Sequence, residues 1–148
     1  MATRAGTRKS STPALSKAGL EAVSRFRWGL RRFLRFSEEA ARRAGITALQ
    51  YQLLLHTQGF EGRDWASIGE LAERLQGHAH GVVALVTRCE ESGLVVRRQN
   101  EADKRLVEVH LTAKGRRCLQ AIAALHRRQI DELAAVIDEA RAGRPPSR

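Results

Sequence analysis

Apolar positions recur along this chain first at helical and then at strand spacing. Leu20, Val23, Phe26, Leu30, Phe33 and Leu34 follow three- and four-residue steps, which predicts one apolar face of a long helix ending near Gly45. Thr47-Ala48-Leu49-Gln50 has the spacing of a capping box, the Thr hydroxyl taking the N3 amide and the Gln reaching back. It opens a helix carrying Leu49, Leu53 and Leu54. Gly59 to Ala66 reads as a loop with two glycines. Ser67-Ile68-Gly69-Glu70 is a second capping box and starts a short helix with Ile68, Leu71, Ala72 and Leu75 inward. Gln76-Gly77 breaks that helix, and another runs from about His78 to Ser92, with Gly93 as its left-handed stop.

The period then shortens. Leu94-Val95-Val96 is a β-type run, and Val107, Val109 and Leu111 alternate with Leu106, Glu108 and His110. The nine residues from Arg97 to Arg105 predict a charged hairpin loop. Thr112 can cap one last helix, whose stripe of Cys118, Leu119, Ile122, Leu125, Ile130, Leu133, Val136 and Ile137 runs over about six turns. Residues 1–17 are rich in Ser, Thr and basic side chains and read as a disordered arm; 143–148, with Pro145-Pro146, read as a flexible tail.

The chain has 148 residues, enough for one domain with a real core. Its 43% apolar content is that of a globular protein, and no apolar run approaches the roughly 18 residues of a membrane span. Met1 to Lys17 lack the apolar segment of a secretory signal. Cys89 and Cys118 cannot form a disulfide framework, so a reducing, cytoplasmic setting is expected. Both fall on apolar stripes, where free cysteine is usually a small hydrophobe. The formal net charge of +10 points to a polyanionic partner, nucleic acid first.

Two short helices around a Gly-containing turn, then a hairpin with a basic tip, describe a winged helix-turn-helix. A helix fits the major groove, where every base pair shows a distinct donor and acceptor pattern, and a basic hairpin reaches phosphates or the minor groove. The fold class expected is mainly α with a small β-hairpin: a winged helix-turn-helix lobe over 46–112, flanked by helices over 18–45 and 113–142, together one domain over 18–142.

Ser67 to Leu75, Val86 to Val95 and Asp103 to Gly115 resemble the MarR-type transcriptional regulators, the Asp-x-Arg at 103–105 followed by Leu-Thr-x-x-Gly being the most specific part. The resemblance spans roughly residues 20–140. It implies a homodimeric repressor of a pseudo-palindromic operator, dimerised through its first and last helices and released by a small aromatic ligand. By the same resemblance, Arg105 enters the minor groove, Asp103 orients it, and Arg88 contacts the backbone or braces the wing. His78 to Thr87 form the recognition helix, and base readout is expected from His78, Ala79, His80 and Thr87. Arg97 and Arg98 open the wing on opposite faces, one solvated and one within reach of phosphate; Lys104 completes the basic tip. Trp28, Phe36, Tyr51, His56 and Trp65 are the aromatic candidates for an effector crevice, with core packing as the competing role.

The recognition segment departs from the family's usual composition, because His78-Ala79-His80-Gly81-Val82-Val83 has few hydroxyl donors. A second reading is therefore a winged-helix protein–protein interaction module without specific DNA reading. Residues i and i+2 of a helix point about 200° apart, so His78 and His80 do not predict a chelating pair. The five histidines and two cysteines lack zinc spacing. No metal, cofactor, catalytic constellation or membrane partner is expected.

Overall fold

The computed structural model describes residues 13–142. The expected tail and residues 1–12 of the expected arm lie outside them. Helix α1 (Lys17–Arg43) starts where Ser16 Oγ accepts the Gly19 N–H at 3.1 Å. It ends at Gly45, whose φ of +83° suits glycine and lets Ile46 N–H return to Ala41 O at 3.1 Å. Both predicted capping boxes are present. Thr47 and Gln50 close the first turn of α2 (Ala48–Gln58), and Ser67 and Glu70 that of α3 (Ile68–Leu75). Helix α4 (Ala79–Glu91) follows a turn in which Gln76 is left-handed.

The sheet has three strands rather than the expected two. Trp65–Ser67, of which the sequence places Trp65 and Ala66 in a loop and Ser67 at a helix cap, forms β1 and pairs antiparallel with β3 (Val107–Leu111), Ala66 opposite Val109. Strand β2 (Val95–Gln99) pairs with the other edge of β3, giving the order β1-β3-β2. Arg97, Arg98 and Gln99, expected in the hairpin loop, are thus strand residues, and the loop proper is 100–106. The pairing of Arg97 with Val109 and of Arg98 with Glu108 extends the ladder, which outweighs the low strand preference of a charged run.

The expected single last helix is broken. Helix α5 (Ala113–Ala123) passes through a 3₁₀ turn (Ala124–His126) into α6 (Arg127–Ala142). At the break, buried His126 donates its Nδ1–H to Ile122 O at 2.9 Å, since a carbonyl can only accept. Its ring stacks on Tyr51 and meets the edges or faces of Phe33 and Phe36. The turn drops this side chain into an aromatic box between α1 and α2.

The core lies under the sheet and between α2, α4 and α5, where Leu53, Leu54, Leu71, Val86, Val109 and Ile122 are almost fully buried. Helix α6 packs along α1, with Val136 against Gly29, yet buries none of its residues fully. Much of the long apolar stripe of α1 remains uncovered: Leu20, Val23 and Leu34 are about half exposed, as are Leu125 and Ile130 at the other end of the chain. Leu49 of α2 is also exposed.

Candidate nucleic-acid interface

Helix α4 presents an open face. Leu85, Val86 and Cys89 point into the core, while His78, Ala79, His80, Gly81, Ala84 and Arg88 are exposed. His78 is the N-cap residue, with extended backbone (φ −88°, ψ 146°), not the first helical residue. The 200° separation expected from helical spacing therefore does not apply. The two imidazoles stack in parallel, with centroids 5.9 Å apart. Among the described residues no group of three metal-ligand side chains forms, so nothing completes a site around this pair. Thr87 is half-buried and donates its hydroxyl to Val83 O at 3.0 Å, one turn back.

The wing tip is ordered by Asn100. Its Oδ1 accepts the backbone N–H groups of Ala102 (3.0 Å) and Asp103 (2.8 Å), and its amide donates to Glu108 Oε2 at 2.6 Å. Gln99 Nε2 donates to Lys104 O at 2.7 Å and closes the other side. Asp103 Oδ1 in turn accepts from Arg105, through the backbone N–H at 3.1 Å and Nε at 3.3 Å. The Arg105 side chain is nevertheless 92% exposed, so it is steered without being enclosed. Arg98 and Lys104 are exposed beside it.

At the wing's root, Glu108 Oε1 lies 2.8 Å from His110 Nε2. That hydrogen bond holds the Glu108 carboxyl below the usual range, against the opposing effect of burial, and the Asn100 amide adds to it. His110 stacks on Trp65, and Arg63 lies over Trp65 and Phe60 while pairing with Glu70. The loop before β1 is thereby tied to the sheet.

The two arginines at the start of the wing differ. Arg97 is folded back on α4, where its guanidinium reaches Glu90, Thr87 Oγ1 (2.7 Å) and Val83 O (3.1 Å). Arg98 is exposed. The contact between recognition helix and wing runs through Arg97, whereas Arg88 lies exposed on α4. Asn100, Glu90 and Arg97 are thus structural partners that sequence reading did not single out as such. Asn at the start of a loop is the one available signal, since its side chain readily accepts from the amides two and three residues on.

The five aromatic effector candidates do not converge. Phe36 and Tyr51 enclose His126, and Trp65 belongs to the sheet-edge stack. His56 is half-buried, its pKa lowered by burial and then by the charge of Arg74. Trp28 is 64% exposed and lines an open groove of about 990 Å³ with Leu30, Leu34, Ile46 and the arginines at 27, 31, 35 and 42.

Helix-turn-helix, three-stranded wing and flanking helices match solved structures over most of their length. AbsC, a MarR family transcriptional regulator from Streptomyces coelicolor, superposes with a TM-score of 0.65 at 23% identity, covering 86% of this chain and 84% of that one. Wild-type MarR from E. coli in its apo form gives 0.61 at 22% identity, with 83% and 86% covered. A mutant MepR from S. aureus, solved bound to an oligodeoxyribonucleotide, gives 0.60 at 19% identity, with 82% and 84% covered. At these identities the likeness establishes the fold. Residues 44–106, the lobe that holds α2 through the wing loop, match the sequence model of the MarR family. The chain has the winged helix-turn-helix fold of these MarR-type structures. No curated protein sequence matches the chain significantly. Among the described residues, no helix is long and apolar enough to cross a membrane.

Proposed function

We propose that this chain is a MarR-type regulator, a homodimeric repressor that reads a pseudo-palindromic operator in the cytoplasm. The observation that carries the DNA-binding part is the wing tip, where an ordered loop holds a wholly exposed Arg105 beside Asp103, next to an open recognition-helix face. Two recognition helices, one per subunit, would enter successive major grooves about 10 bp apart, with each Arg105 in a flanking minor groove. His78, Ala79, His80 and Thr87 are the candidates for base edges, and Arg88, Arg98 and Lys104 for phosphates. A complex of the MepR relative with an oligodeoxyribonucleotide supports this reading.

Support for the dimer comes from the uncovered apolar residues of α1, the 3₁₀ turn and α6, namely Leu20, Val23, Leu34, Leu125 and Ile130. A second copy that paired α1 and α6 across a two-fold axis would remove them from water. Release by a small aromatic ligand is the matching expectation for regulation. The groove beside Trp28, with its arginines, suits such a ligand better than the buried Tyr51 and Phe36 do.

A second reading, a winged-helix interaction module, is favoured by the face of α4 itself, where Ala79, Gly81, Val83 and Ala84 offer no side-chain donor. Selection of sheared source-genome DNA by the purified protein at about 150 mM salt, which suppresses weak phosphate-only binding, separates the two. An enriched inverted repeat supports the repressor. Enrichment of nothing removes it and leaves the interaction module.

A further inference from the structure

We propose that Arg97 and Glu90 form a strut that sets the angle between wing and recognition helix, so that Arg97 serves DNA binding as a positioning residue and not as a phosphate ligand. The inference rests on the DNA-binding reading above and deepens it.

Val83, Thr87 and Glu90 lie at i, i+4 and i+7 on α4 and form one stripe facing β2. Arg97 spans that stripe. Its Nη1 pairs with Glu90, and its Nη2 donates to Thr87 Oγ1 at 2.7 Å and Val83 O at 3.1 Å. The backbone N–H of Arg97 is also directed at Glu90 Oε1, 3.5 Å away. A planar guanidinium engaged on both terminal nitrogens is fixed in orientation, which an ammonium could not reproduce. The pair is sheltered as well, with side-chain exposures of 29% for Arg97 and 38% for Glu90 against 92% for Arg105. The chain link between the two elements is only the turn at Ser92, Gly93 and Leu94, with Gly93 at φ +72°. A side-chain tie that reaches two turns back along α4 stiffens that joint.

Charge alone predicts the opposite role for Glu90. Neutralising an acid on a DNA-binding helix should tighten binding, whereas removal of half a strut should loosen it. The test uses Arg97→Met, Arg97→Lys, Glu90→Gln and the Arg97→Met/Glu90→Gln double variant. Each is titrated against the duplexes that wild-type protein retains from sheared genomic DNA, over a range of salt, and each is followed by amide hydrogen exchange without DNA.

The strut predicts roughly tenfold weaker binding for every single variant, Arg97→Lys included, and no further loss in the double, because the two residues act as one unit. The slope of log K against log salt stays that of wild type. Exchange rises in β2 and in residues 100–106 and is unchanged in α1. A slope smaller by about one in Arg97→Met, with tighter binding in Glu90→Gln, would make Arg97 a phosphate ligand and overturn the proposal. Full affinity in Arg97→Lys would also overturn it. Should wild type retain no duplex, the DNA-binding reading falls, and unaltered wing exchange in the variants would sink the strut independently.

Discussion

Replacing Gly115 with Ala sets two effects of opposite sign against each other. Gly115 lies in the first turn of α5, and helix preference alone makes Ala better there by about 1 kcal/mol. A Cβ at this position, however, would stand 2.0 Å from Leu94 O and 3.4 Å from Leu111 Cγ. Ordinary carbon–oxygen contacts begin near ~3.3 Å, so helix and strand must separate by about 1.3 Å. Overpacking of that kind costs about 1–3 kcal/mol. The same movement stretches two hydrogen bonds that seat the helix: Thr112 N–H to Leu94 O at 3.0 Å, and Thr112 Oγ1–H to Gly93 O at 2.6 Å. Each is worth about 1 kcal/mol. With the preference subtracted, the net loss is about 2–4 kcal/mol, or roughly 5–15 °C in melting temperature for a chain of this size. Urea denaturation followed by circular dichroism measures it, at one fixed protein concentration because any dimer shifts the midpoint. Gly81→Ala is the internal control. Gly81 is helical, exposed and has nothing within 4 Å of its would-be Cβ, so here preference acts alone and should add about 1 kcal/mol. A Gly115→Ala protein at least as stable as wild type would refute the close approach of α5 to Leu94 and the reasoning built on it.

Two further expectations are independent of that one. Arg105→Ala should leave the urea midpoint unchanged, since the side chain is exposed, while weakening operator binding; binding titrations that show equal affinity would remove the wing from the DNA-binding account. Burial pushes the Cys89 thiol up to about 11, with the nearby Arg88 charge only partly opposing it. The folded state therefore holds this proton more tightly than the unfolded chain, whose thiol titrates near 9.0. The stabilisation is complete below pH 9 and disappears as the pH rises to about 11, so unfolding midpoints should fall across that window. The fall should be shallower in Cys89→Ala, and an identical slope would mean that Cys89 ionises freely in the folded protein.

What sequence revealed, and what it hid, divides along the range of the interactions involved. The capping boxes at Thr47–Gln50 and Ser67–Glu70 are contained within four residues each, and both appear as their spacing predicts. Gly45 and Gly93, as helix stops with positive φ, are equally local. Strand β1 is not: three residues show no period, and Trp65–Ser67 becomes a strand only because Val109 and its neighbours in β3 lie alongside. The break at Ala124–His126 was hidden for a related reason. The apolar stripe continues through it in step, and the cause is a box of Phe33, Phe36 and Tyr51 supplied by α1 and α2. Arg97 looked like a loop residue because its partners Val83, Thr87 and Glu90 precede the turn.

The interface shows the same division and, on the DNA-binding reading, indicates how recognition is shared between its parts. The wing is rich in built contacts: Asn100 gathers two backbone amides, Gln99 closes the loop, and Asp103 steers an arginine that stays in solvent. The exposed face of α4 is poor in them, with only the stacked His78 and His80 and the exposed Arg88 offering side-chain donors beside a half-buried Thr87. Base edges in the major groove are distinguished by hydrogen bonds, each good bidentate pair being worth about 1–3 kcal/mol of discrimination. A helix face of alanine, glycine and valine cannot supply many. An arginine aimed at a narrow minor groove reads width and potential instead, at positions where no base edge is contacted. With +10 of net charge adding sequence-independent attraction, selectivity in this chain then rests more on the geometry of the wing than on the letters facing α4. This is why the angle at which the wing is held, and hence the Arg97–Glu90 tie, matters more here than in a regulator whose recognition helix carries the readout.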